Sequence, residues 1–75
     1  MSNQENQIAV QHLINVEKSI NRGTETHRAV LNALGEAGGV QAVQHLINVE
    51  KSINRGTETH KAVLNALGRA GRSVE

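Results

Sequence analysis

Apolar residues recur along this chain at three- and four-residue intervals, which is the period of an α-helix rather than the two-residue alternation of a strand. Ile8, Val10, Leu13, Ile14, Val16 and Ile20 open that pattern. At about 100° per residue, the last five share one broad face, and Gln11, Asn15, Lys18, Ser19 and Arg22 take the other. Asn21-Arg22-Gly23 reads as a stop signal, with Gly23 suited to the left-handed conformation just past a helix end. Thr24 follows as an N-cap, and Glu25 stands in the first turn of the next helix. Gly23-Thr24 is therefore expected to be a tight reversal between two helices. The second runs from 25 to 34 or 37, with Val30, Leu31, Ala33 and Leu34 inward.

The same elements occur twice. Residues 9–38 return as 42–71, thirty-three positions on, and of thirty aligned pairs only two differ: Arg28 against Lys61 and Glu36 against Arg69. Long divergence scatters substitutions over solvent faces, so the duplication is either very recent or deliberate, and we adopt the deliberate reading. Gly56 and Thr57 repeat the turn of Gly23 and Thr24. Gly35-Glu36-Ala37-Gly38-Gly39 links the copies. Each glycine costs a helix interior about 0.8–1 kcal/mol, so three in so short a stretch are expected to break the helix. The alternative is a rod that continues through the linker and swaps hairpins between chains.

This divides one domain into a polar leader (1–6), a first helical hairpin (7–38), a second (39–71) and a tail (72–75). The expected fold is all-α: two near-identical helical hairpins forming a four-helix, pseudo-two-fold bundle. Its rival is a two-repeat αα solenoid that self-associates to cover its apolar ends. Thr24, His27 and Ala29 match part of the Thr-x-x-His-x-Ala segment of ankyrin repeats, which share the period. Glu25 and Thr26 stand where that family has proline and leucine, so no functional residue is carried over.

Composition narrows the partners. Eight basic and seven acidic residues are interleaved, for a net charge of +1, so no basic stripe invites a phosphate backbone. There is no Phe, Tyr or Trp, hence no platform on which bases stack. Nucleic acid is not an expected partner. Nor is a membrane, because no apolar run approaches the roughly 18 residues of a spanning helix. No signal-peptide pattern follows Met1, so a soluble chain is expected, its compartment undetermined. Cysteine is absent, which removes disulfides, thiolate zinc sites and a thiol nucleophile. A core of medium aliphatics alone is marginal at this size. The expected partner is therefore the chain itself, copy against copy, or as a homodimer.

Two polar residues interrupt the apolar arcs, Glu17 in the first helix and His27 in the second, and Glu50 and His60 repeat them. A turn at 23–24 brings His27 within one helical turn of Glu17, and a buried carboxylate needs a partner. A hydrogen-bonded pair that holds hairpin register is the expected role. A divalent metal held between the copies by Glu17, His27, Glu50 and His60 is the weaker alternative, since the Glu-x-x-His spacing of helical metal bundles is missing. No metal or cofactor is therefore assigned. His12 and His45 project at the polar edge and read as surface residues. Ser19 and Ser52 are remote from His27 in projection, so no nucleophile–base pair and no catalytic residue is assigned. The expected function is a structural or assembly scaffold without enzymatic activity. A module presenting a groove to a partner helix is the second reading, and a weak metal-binding bundle the third.

Overall fold

A threonine builds the start of each second helix. Thr24 has extended backbone (φ −88°, ψ 167°), and its hydroxyl accepts the His27 N–H at 3.1 Å, satisfying one donor that the first turn leaves free. The same hydroxyl donates to the Asn21 carbonyl at 3.0 Å. Thr57 repeats both bonds, accepting from His60 N–H at 3.1 Å and donating to Asn54 at 2.9 Å. Gly23 and Gly56 precede them with φ of +82°, a conformation that a side chain resists.

The structure, a computed structural model, describes residues 3–72 as four helices: α1 (Asn3–Ser19), α2 (Glu25–Ala37), α3 (Gly39–Ser52) and α4 (Glu58–Arg72). Strands are absent among the described residues. Among the described residues no helix is long and apolar enough to cross a membrane.

Several boundaries differ from expectation. α1 and α3 stop at Ser19 and Ser52, so the connection is longer than an immediate Gly-Thr reversal. Ser19 Oγ donates to the Val16 carbonyl, and Ser52 Oγ to that of Val49, each at 3.0 Å. These side-chain bonds compete with the helical ladder. Ile53 is then extended (φ −105°, ψ 162°), and Ile20 and Ile53 pack against the core. Residues 3–6, expected as part of a polar leader, are instead helical. Gln and Glu are good helix formers, and Glu5 stands favourably in the first turn. Residues 1 and 2 lie outside the described residues. The expected tail begins in helix too: α4 includes Arg72, and Arg69 and Arg72 suit the negative end of its dipole. Residues 73–75 lie outside the description.

The linker breaks as the glycines demand. Gly38 (φ +68°) donates its N–H to the Leu34 carbonyl at 3.0 Å, closing α2, and Gly39 (φ +90°) opens α3. The continuous rod is not formed.

α2 lies at the centre, touching α1, α3 and α4, whereas α1 does not reach α4 among the described residues. α1 and α3 run in the same direction. Gln11–Gln41 (2.8 Å), Glu17–His45 (2.8 Å) and Arg22–Ser52 (2.7 Å) rise together along both segments. α2 and α4 meet so closely that a Cβ added at Gly35 would lie 2.7 Å from Ala66 Cα. The core gathers Val10, Ile14, Leu31 and Leu34 from the first copy with Ala42, Leu46, Val49 and Ala66 from the second. Equivalent positions do not share a fate. Leu31 is 0% exposed and Leu64 48%; Ile14 is 6% exposed and Ile47 39%.

Candidate functional site

A buried polar cluster sits where the copies meet, and its centre is Glu17. The helix start at Thr24 and the left-handed turn at Gly23 place His27 over the end of α1. Gly23 N–H donates to His27 Nδ1 at 3.1 Å. That nitrogen is therefore an acceptor and the ring proton sits on Nε2. Nε2 donates to Glu17 Oε2 at 2.8 Å, with both side chains buried. The other oxygen, Oε1, accepts from His45 Nε2 at 2.8 Å, across the boundary between copies. Arg22 adds a cation 3.8 Å from Oε2.

These contacts set the charge of the site. Burial alone raises the Glu17 pKa, because it penalises the ionised form. The hydrogen bonds from His27 and His45, with the charges of His45 and Arg22, outweigh that cost and hold the carboxyl below its ordinary range. Glu17 is a carboxylate satisfied on both oxygens.

The second copy builds half of the same site. Gly56 N–H donates to His60 Nδ1 at 3.0 Å, His60 Nε2 meets Glu50 Oε2 at 3.1 Å, and Arg55 lies 3.4 Å away. Among the described residues no second imidazole reaches Glu50. His12, the residue equivalent to His45, is exposed.

The four residues weighed as metal ligands thus form two separate pairs, Glu17 with His27 and Glu50 with His60. Among the described residues no group of three or more His, Cys, Asp or Glu is arranged to hold a metal ion. His27 has no lone pair to offer: Nδ1 accepts from Gly23 and Nε2 carries the proton. Ser19 and Ser52 spend their hydroxyls on backbone carbonyls, and Ser52 also accepts from Arg22. A cleft between the two turns is lined in part by Arg22, Arg28 and Glu58. Its guanidinium groups are engaged, Arg22 with Ser52 and Arg28 with the Gly23 carbonyl at 3.1 Å.

His45 is the participant that sequence reasoning placed on the surface. Projected along its own helix it lies at a polar edge, and only the approach of α1 makes that edge internal. One signal was present: a buried carboxylate has more acceptor capacity than one imidazole fills. Comparison with known proteins finds no matching family model, no matching curated protein and no matching solved structure.

Proposed function

We propose that this chain is a structural unit without enzymatic activity, a recent or deliberate duplication in which two helical hairpins stack head to tail. Stacking is what it does. The observation that carries this reading is the one-way bond between Glu17 and His45. A two-fold axis between the copies would pair Glu50 with His12 as well, because an isologous interface uses every contact twice. His12 is exposed instead. The unequal burial of equivalent positions, Ile14 against Ile47 and Leu31 against Leu64, supports the same relation, a repeated step as in a solenoid rather than a pseudo-two-fold bundle. The polar groups suited to chemistry are spent on one another, on the backbone and on the joint, which favours a scaffold over a catalyst.

Gly35→Leu tests the joint. Its Cβ would meet backbone at Ala66, 2.7 Å away, where no flexible side chain can yield. The expected result is a lower melting temperature and a broader transition, although leucine is the better helix former. An unchanged or raised melting temperature refutes the stack. A second reading, docking of a partner helix, is favoured by one observation: Ile47 and Leu64 remain exposed on the second copy.

A further inference from the structure

We propose that the exposed face of the second copy, carrying Ile47, Glu50, Leu64 and Gly68, binds a second copy of this chain through its His12, Ala33 and Glu36. Chains then add head to tail in an open series. The inference rests on the head-to-tail reading above and extends it beyond one chain.

The template is inside the molecule. The first copy buries Ile14, Glu17, Leu31 and Gly35 as it receives the second. Their equivalents are Ile47, Glu50, Leu64 and Gly68. Ile47 and Leu64 are exposed, and nothing lies within 4 Å of a Cβ added at Gly68. The second copy in turn buries Ala42, Thr59 and Ala66 and offers His45. Ala9, His12 and Thr26, their equivalents, are exposed, and Ala33 is half-buried. The chain therefore displays at opposite ends the two halves of a joint that it closes in its middle. Such an interface joins unlike faces, so addition does not stop at a dimer.

Individual contacts transfer. His12 of an incoming chain reaches Glu50 as His45 reaches Glu17, supplying the missing imidazole. Gly68 accepts Ala33 as Gly35 accepts Ala66. Arg55 finds Ser19 as Arg22 finds Ser52. Charge agrees as well. Within the chain Arg69 Nη1 donates to Glu36 Oε2 at 3.2 Å. Between chains Arg69 faces the next Glu36, again opposite in sign. Identical copies would set like charges against each other at every joint. The one non-conservative difference between the copies is the one that makes both joints attractive. One contact is lost, since Gln11–Gln41 becomes Gln44 against Ile8.

The inner joint benefits from its linker, which supplies an effective concentration on the order of millimolar. The outer joint has no linker, so assembly is sought at high concentration. Sedimentation equilibrium of the full chain is measured from about 10 μM to about 1 mM, spanning that effective concentration. The expected result is a weight-average mass that climbs past twice the 8.1 kDa monomer without a plateau. Gly68→Leu fills open space in one chain but obstructs the joint, so it stays monomeric and fully helical by circular dichroism. Mixed with the wild type, it lowers the wild-type mass, because its His12 end is intact and caps growing chains.

Three results overturn the proposal: a wild-type mass fixed at the monomer, a plateau at the dimer, or a Gly68→Leu protein that assembles or fails to cap. A monomeric wild type whose Gly35→Leu variant is destabilised overturns this inference and leaves the internal stack standing. A tolerant Gly35→Leu overturns the stack itself.

Discussion

Leu31 and Leu64 have the same neighbours for seven residues before them in sequence apart from Arg28 and Lys61, yet one is wholly buried and the other half exposed. Glu17 and Glu50 diverge in the same way: two imidazoles hold the first and one holds the second. Local propensity cannot produce this difference, because the local sequences are the same. The different surroundings of the two copies produce it. Among the described residues, the first copy has a neighbour on the face that Ile14, Glu17 and Leu31 share, and the second has none there. Side-chain burial here follows the copy to which a residue belongs rather than its type.

Paired substitutions at equivalent positions isolate that effect. Leu31→Ala should cost about 2–5 kcal/mol, the range for emptying a packed leucine site. Leu64→Ala should cost about 1 kcal/mol or less, since half its surface already meets water. Urea denaturation of both variants reads the gap, and equal losses break the comparison.

The carboxylates come next. Glu17→Ala leaves the buried His27 Nε2–H without an acceptor, for an expected loss of about 1–3 kcal/mol. Glu50→Ala removes one partly exposed bond, for about 0.5–1.5 kcal/mol. Chemical denaturation at neutral pH separates them. Acid sharpens the contrast. A carboxyl whose folded pKa is depressed stabilises the fold above its unfolded value of about 4.3, and that stability is lost as pH falls through the lower folded value. The melting temperature should therefore fall below about pH 4.3, and Glu17→Gln should flatten that limb. An unaltered acid limb in Glu17→Gln removes Glu17 from the account.

The smallest effect has the opposite sign. Gly68 is helical with open space beside it. Gly68→Ala should raise stability by up to about 1 kcal/mol through helix propensity. Thermal melts at low concentration, where chains are apart, measure it. A loss at Gly68 would mean that this face is covered within a single chain.

The helices were legible because their signals are local: apolar spacing, threonine caps, and glycines at 23, 38 and 56. The pairing of Glu17 with His27 was legible too, since a turn at 23–24 sets their separation. The helix ends at Ser19 and Ser52 were not, because a serine hydroxyl turning onto a carbonyl leaves no trace in apolar periodicity. The role of His45 was hidden for a different reason. It depends on which faces of two near-identical units meet, and the residues around His12 and His45 are the same in both. The burial of Leu31 and exposure of Leu64 were hidden for the same reason.

Ala37-Gly38 and Ala70-Gly71 are the same dipeptide in the two copies, and the chain treats them differently. At Gly38 it turns; at Gly71 the helix runs on to Arg72. The residue that follows is glycine in one case and arginine in the other. Position 39 has φ of +90°, which an L side chain adopts only at a cost of about 1–2 kcal/mol. Residue 39 therefore turns a corner that a side chain at residue 72 would disfavour. A third copy appended after Gly71 would turn more readily with a glycine in place of Arg72. A single codon thus acts as punctuation: glycine lets the polypeptide turn into another unit, and arginine lets the helix read on.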